Sequence, residues 1–154
     1  MRIGIVVVSL SVIALSAGCA GPAESAGNGL DEPPPFPGSV AATSWRTTED
    51  PPEGFGVGGA RYDSPMATLE ALMTFGVQSE GGLPPGERLI GDVLDAGAAT
   101  ARAWIQLTGT EDDSVAGQEI LLYLVKDGRG WFIDRLAYRD HCRRGVDPAG
   151  DQCV

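Results

Sequence analysis

The chain of 154 residues is long enough for one small domain, and its 21 acidic and 11 basic side chains give a formal charge of −10 at pH 7. A chain this acidic lacks the basic stripe that binds nucleic acid, and anionic lipid headgroups would repel it. The charge of the chain therefore excludes electrostatic binding to nucleic acid or to an anionic membrane surface.

The N-terminal residues have the pattern of a secretory leader. One basic residue, Arg2, precedes an uncharged run from Ile3 to Leu15, which is too short to cross a bilayer because a span takes about 20 residues. Small residues and Cys19 follow, and this stretch resembles the lipobox of bacterial lipoproteins, although Ser16 stands where that motif favours leucine. The resemblance implies a signal peptide over residues 1–18. It also implies a lipidated Cys19 that anchors the chain on the outer, extracytoplasmic face of the cell membrane.

Two other interpretations of the leader stay open. Ordinary cleavage near Ala17 would leave Cys19 as a free thiol, and an uncleaved leader would act as a helical anchor. The second is disfavoured because Gly21, Pro22 and polar residues follow, so no apolar run continues. Diacylation of Cys19 would hold the chain on the membrane without a spanning helix, since two acyl chains anchor a protein stably.

Cys142 and Cys153 remain as a pair once Cys19 is assigned to lipid, and an oxidising compartment favours a disulfide between them. A metal or redox pair is the alternative, but the chain has no C-x-x-C motif and only one histidine. The segment from Cys142 to Val154 also resembles the C-terminal tail of small secreted actinobacterial proteins. That likeness supports the disulfide and an envelope location and implies no activity.

Residues 20–60 are rich in glycine, proline, alanine and serine, a composition typical of a linker. We therefore expect a lipidated N-terminus and linker over residues 19–60 and a folded domain over residues 61–154. Within the linker, Val40 to Thr48 could add an edge strand to the domain. Gly54 to Gly59 matches G-x-G-x-x-G, but no predicted strand precedes it, so a hinge is favoured over a phosphate-binding loop.

The domain begins with a helix whose limits are marked in the sequence. Asp63 or Ser64 can cap its N-terminus, Pro65 suits the first turn, and Gly76 suits the C-terminal exit. An apolar stripe at helical spacing predicts the face that packs on the core, and it comprises Met66, Leu69, Leu72, Met73 and Phe75.

Four strand patterns follow the helix and predict an antiparallel meander. They are Arg88 to Leu94 with a bulge at Gly91, Ala99 to Thr108, Glu119 to Lys126, and Trp131 to Arg139. Alternation in the second strand predicts one face made of Ala101, Ala103, Ile105 and Leu107. Asp127-Gly128 predicts a tight hairpin between the last two strands. The predicted fold class is α+β, with one N-terminal helix packed on a four-stranded antiparallel sheet.

This order of elements over residues 62–139 is similar to that of nuclear-transport-factor-like and cystatin-like folds. The resemblance depends on element order alone and not on a signature motif. In the complete fold, extra helices help to close a conical pocket, and no such helices are predicted in this chain. The resemblance therefore implies a helix lying across a sheet and does not imply a deep pocket.

Asp134 is the candidate for chemistry in a pocket, because it lies in an otherwise apolar strand. On a concave face it could act as a polar anchor or a general base. Such a pocket would also include Tyr123, Trp104 and Arg102 as polar groups. The alternative, which is the commoner arrangement, places Asp134 on the outer face, paired with Arg135, Arg102 or solvent.

Other polar residues are expected to be structural. We expect His141 to be exposed near the chain end, and a disulfide at Cys142 removes the thiolate that a Cys–His pair would need. The acidic run from Glu111 to Asp113 lacks the spacing of a calcium loop and predicts a solvated hairpin loop. No metal or cofactor is expected.

Two functions from different classes fit these patterns. In the first, the chain is a non-catalytic envelope lipoprotein whose domain binds a partner protein or a small apolar ligand. In the second, it is a small isomerase-like or hydratase-like enzyme that uses Asp134. The enzyme requires Asp134 to be buried in a cavity with a hydrogen-bond donor in reach, and the binding module is favoured.

Overall fold

The computed structural model describes residues 32–154, so Cys19 and the leader lie outside the described residues. Seven elements follow one another: β1 (Ala41–Ala42), β2 (Arg46–Thr48), α1 (Pro65–Ser79), β3 (Arg88–Ala96), β4 (Thr100–Thr108), β5 (Val115–Asp127) and β6 (Gly130–Cys142). Within residues 32–154, none of the helical structure is long and apolar enough to span a bilayer.

The sheet is antiparallel and has six strands rather than the four that were predicted. β3, β4, β5 and β6 form the expected meander, in that spatial order. The outer edge of β6 is covered by β1, which pairs Ala41 with Cys142, and by β2, which pairs Arg46 with Tyr138. Both added strands fall inside the stretch from Val40 to Thr48 that was expected to supply an edge strand.

Helix α1 begins as predicted and ends later. The hydroxyl of Ser64 accepts a hydrogen bond from the Ala67 backbone amide at 3.1 Å, and Pro65 occupies the first turn. Gly76 lies inside the helix instead of ending it. The chain leaves the helix at Gly81 and Gly82, whose positive φ angles favour glycine.

One face of the sheet, which we call the helix face, packs against α1. Leu69 and Leu72 of the helix are buried on it, and the predicted face of β4 is confirmed because Ala101, Ala103 and Ile105 belong to the same core. The other core members are Phe55, Leu122, Leu124, Trp131 and Ile133. Of the predicted helix stripe, Met66 and Phe75 are exposed, since they lie at the borders of the stripe rather than at its centre.

Residues 32–60 belong to the folded domain, so the predicted boundary at residue 60 has to move. Phe36 and Phe55 are buried although prolines and glycines surround them in the sequence. The Phe55 carbonyl also accepts a hydrogen bond from the Ile133 amide of β6 at 2.9 Å. Two large side chains and local backbone bonds offset the low hydrophobicity of this stretch.

The glycine-rich loop from Gly54 to Gly59 surrounds a cation. The Arg61 guanidinium donates to the carbonyls of Gly56 at 3.2 Å and Val57 at 2.6 Å, and its Nε donates to Asp127 at 2.8 Å. A phosphate would need backbone N–H donors, whereas this loop presents carbonyl acceptors. Arg61 therefore links this loop to the β5–β6 hairpin.

Two local predictions about the strands need correction. The hairpin between β5 and β6 forms, but its two loop residues are Gly128 and Arg129, and the positive φ falls on Gly130. The register shift in β3 lies between Val93 and Asp95, not at Gly91. A Cβ at Gly91 would come within 2.6 Å of the Trp104 carbonyl, so that glycine permits close strand packing.

The predicted disulfide joins Cys142 and Cys153. Cys142 ends β6 and is fully buried, so the bridge ties the C-terminal loop to the edge of the sheet.

Replacing both Cys142 and Cys153 with serine should lower the free energy of unfolding by roughly 2.5–3 kcal/mol, because the bridge restricts the unfolded chain. Urea unfolding of the oxidised protein and the double variant measures this difference. The wild-type protein unfolded with a reductant should match the variant. Equal stability of oxidised and variant proteins would contradict the prediction.

Candidate functional site

Three of the four predicted pocket residues lie together on the second face of the sheet, which is the face away from α1. Asp134, Tyr123 and Arg102 line an open cavity of about 350 Å³. Trp104 does not line this cavity and is buried, at 6% exposure. Its indole nitrogen has no hydrogen-bond partner within residues 32–154.

The contacts in this cavity do not meet the requirements of a general base. Asp134 is exposed at the register shift of β6. Arg102 donates to Asp95 at 2.5 Å, and the Arg135 guanidinium stacks on the Tyr123 ring at 4.4 Å. The cationic groups are engaged with other side chains, and the carboxylate is exposed instead of enclosed in a cavity beside a donor.

A buried polar network occupies the other end of the second face, with Glu119 of β5 at its centre. Glu119 is 1% exposed and accepts hydrogen bonds from Gln106 at 3.1 Å and from Arg139 at 2.7 Å. The Nε2 atom of His141 lies 3.0 Å from the same carboxylate. Each of the four side chains comes from β4, β5 or β6, so the network connects three adjacent strands.

The environment of Glu119 keeps it ionised. Burial of the carboxylate raises its pKa, but hydrogen bonds from His141, Gln106 and Arg139 together outweigh burial and hold the pKa below its ordinary value. Desolvation of this charge is therefore balanced by direct side-chain partners.

His141 is buried, at 6% exposure, which corrects the expectation of an exposed histidine near the chain end. The Phe36 ring stacks on the imidazole at a centroid distance of 4.0 Å, and Ser39 Oγ lies 3.1 Å from Nδ1. Gln106 also donates to the carbonyl of Pro34 at 2.8 Å. The network thus fastens residues 33–39, which we call the strap, across the second face.

Ser39, His141 and Glu119 form a hydrogen-bonded series like that of a hydrolase, but the geometry does not activate the serine. The Ser39 hydroxyl donates to the Ala41 carbonyl at 2.7 Å instead of to the imidazole. The neighbouring Val40 amide is bonded to the Cys142 carbonyl at 2.9 Å and is not available to stabilise an oxyanion. We therefore assign these residues a structural role.

Sequence reasoning missed this network, although a signal was present. Gln106 and Glu119 adjoin apolar residues in their strands, and Arg139 and His141 are two residues apart on one face of β6. A buried charge in such a strand requires partners at the matching positions of its neighbours.

The helix face contains an apolar groove between α1 and the sheet. Its inner part is a cavity of about 210 Å³ in which every lining residue is apolar. The helix and a preceding loop contribute Pro52, Leu72, Met73, Phe75 and Gly76, and the sheet contributes Leu89, Ile105, Ile120 and Leu136. Leu89, Ile120 and Leu136 are only half-buried, whereas in a closed core they would be covered.

The groove continues towards the C-terminal end of α1. An adjoining cavity of about 470 Å³ shares Gly76 and Leu89 with the inner part and extends past Leu107 and Gln118. Together the two parts have the size of small-molecule sites, which occupy roughly 300–1,000 Å³. The groove exists because α1, at about 22 Å, is shorter than β5 and β6, which extend about 44 Å.

The acidic loop from Glu111 to Asp113 forms a turn. Asp112 accepts hydrogen bonds from the Ser114 hydroxyl and amide and from the Val115 amide, and these bonds lower its pKa. In the part of the chain that the structure describes, no group of three or more histidine, cysteine, aspartate or glutamate residues is placed to hold a metal ion.

Comparison with protein-family models, curated proteins and solved structures finds no match to this chain.

Replacing Glu119 with glutamine should lower the free energy of unfolding by roughly 2–3 kcal/mol at neutral pH, because Arg139 and His141 lose a buried anionic partner. The pKa of Glu119 is depressed in the folded state. The stabilisation is therefore present above the unfolded pKa of about 4.3 and is lost as the pH falls through the lower folded value.

Urea unfolding across this acidic range measures both effects. The wild-type protein should lose more stability than the Glu119→Gln variant as the pH falls, and Asp134→Asn, which changes an exposed carboxylate, should behave like the wild type. An identical acid dependence in wild type and Glu119→Gln would show that the network does not stabilise the fold through this charge.

Proposed function

We propose that this protein is a lipoprotein, anchored through Cys19 to the outer face of the cell membrane, whose domain is a non-catalytic binding module for a small apolar ligand. The observation that carries the proposal is the groove on the helix face. Half-buried leucine and isoleucine side chains line a concave surface there, although the same residues would be more stable if covered.

The surface around the groove supports a ligand site. Phe75 and Leu83 are among the exposed large apolar residues of the described chain, and each lines one part of the groove. Apolar residues scattered singly over a surface need no explanation, but these two lie at one depression. A small apolar molecule in the groove would remove them and the half-buried lining residues from water together.

The geometry of the N-terminus is compatible with anchoring. Residue 32 lies thirteen positions after Cys19, so the chain between them can reach no more than roughly 45 Å. An anchored domain would thus stay close to the membrane surface. The sequence composition had suggested a longer linker, and the inclusion of residues 32–60 in the fold shortens it.

Replacing Cys19 with serine should abolish incorporation of labelled palmitate and release the protein from the membrane fraction, because a chain without acyl groups has no stable anchor. Metabolic labelling and cell fractionation measure the two effects. Cys153→Ser, which removes a different cysteine, is the matched control and should remain labelled. Firm membrane attachment of the Cys19→Ser variant would refute the lipid anchor.

Replacing Gly76 with leucine should block the groove without unfolding the domain. Gly76 lines both parts of the groove, and a Cβ built there meets no atom within 4 Å. The change should leave stability equal or raise it by up to about 1 kcal/mol, because leucine is a better helix former than glycine.

The neutral fluorescent probe N-phenyl-1-naphthylamine tests the groove in the chain from Gly21 onward, which includes every described element. We expect saturable binding to the wild type, at least tenfold weaker binding to Gly76→Leu, and unchanged binding to Gly58→Leu, where the same side chain is added to an exposed loop. Absence of probe binding, or equal binding by Gly76→Leu, would refute the proposed ligand site.

A further inference from the structure

We infer, on the basis of the proposed ligand site, that the groove selects amphiphiles with a cationic headgroup. The apolar chain of such a molecule lies in the inner part of the groove, and its headgroup lies at the C-terminal end of α1. The two parts of the groove differ in chemistry. The inner part is lined by apolar residues only, whereas the adjoining part carries the polar side chains of Ser79, Glu80, Glu87 and Gln118.

The ionisable side chains that line the outer part are both acidic. They are Glu80, which follows α1, and Glu87, which precedes β3. No lysine or arginine is among the residues that line either described part of the groove. A headgroup seated here would therefore meet two carboxylates, one from each end of the connection between α1 and β3.

The helix adds negative potential at the same place. Val77 and Ser79 of the last turn of α1 line the cavity together with the following residue, Glu80, and this turn has no basic residue. A helix C-terminus carries a partial negative charge, which a cation nearby stabilises. This contribution does not depend on the two glutamates, although it has the same sign.

Neighbouring basic residues do not cancel this potential. Leu89 lines the groove, so the adjacent Arg88 lies on the opposite face of β3. Arg46 approaches from β2 on the helix face, but it forms an ion pair with Asp140, which also accepts a hydrogen bond from Gln118. That pair is neutral overall.

Charge complementarity therefore identifies the occupant, and hydrophobic burial supplies its affinity. An anionic amphiphile such as a fatty acid would place its carboxylate beside Glu80, Glu87 and the helix terminus, with no basic side chain in the described lining to receive it. A neutral amphiphile would gain the apolar contacts without the electrostatic attraction. The expected order of affinity is cationic, neutral, anionic.

Displacement of N-phenyl-1-naphthylamine by three amphiphiles with the same chain length tests this order. Dodecyltrimethylammonium, dodecyl maltoside and dodecyl sulfate are titrated below their micelle concentrations into the chain from Gly21 onward. Dodecyltrimethylammonium should displace the probe at about five- to tenfold lower concentration than the maltoside, and the sulfate should be the weakest. Added salt should narrow these differences.

A double variant distinguishes two causes of a preference for the cation: binding at a headgroup site and general attraction of a cation to an acidic protein. Glu80→Gln with Glu87→Gln should remove most of the preference for the cation. Glu53→Gln with Glu111→Gln, which makes the same change of charge at exposed positions outside the groove, should retain it.

Equal displacement by all three amphiphiles, or equal loss of preference in both double variants, would overturn the cationic selectivity while leaving the ligand site intact. A failure of the probe to bind the wild type would instead overturn the proposed function.

Discussion

The long antiparallel pairing of β5 with β6 is the interaction on which the rest of the structure depends. Each strand has thirteen residues, and they pair from the hairpin loop to the end of β6. β4 extends the sheet on one side, and β1 and β2 cover the other edge. The disulfide joins Cys153 to the final residue of β6, so the C-terminal loop is fixed to the same pair of strands.

The two faces of this pair are stabilised in different ways. On the helix face, apolar side chains pack against α1, and the sheet extends beyond the helix. On the second face, the strap covers a charged network in which Glu119 is the common acceptor. A buried carboxylate with three partners fixes strand register strongly, because a shift by one residue would leave it unpaired. On the apolar face the same shift would turn the core side chains away from α1, so both faces fix the register, and only the apolar face has a groove beside the helix.

Much of the fold was predictable because its signals are local. The Ser64 cap, the alternation along β4 and the turn after Asp127 are each encoded within a few neighbouring residues, and the structure confirms them. The pairing of Cys142 with Cys153 was predictable from the cysteine count together with the expected oxidising compartment. The extent of α1 was less predictable, because a glycine near a helix end fits both an interior and an exit position.

The remaining features depend on tertiary contacts that no local pattern contains. β1 and β2 have two and three residues, too few for periodicity to indicate a strand. The packing of Phe36 on His141 joins residues that lie far apart in sequence. The groove arises from the difference in length between one helix and two strands, which becomes visible only when the elements are assembled. Asp134, singled out by its sequence context, proved to be exposed because it lies at a register shift.

The position of residue 32 has a consequence for how an anchored domain would be oriented. Glu32 lies on the second face beside Arg102 and Leu121, whereas the groove opens on the helix face. The sheet therefore lies between residue 32, where the described domain begins, and the opening of the groove. In a lipid-anchored protein this arrangement lets the bilayer lie on one side of the sheet while the groove, on the other side, faces the surrounding solution. A ligand at the proposed site would then exchange with the solution while the domain stays on its anchor.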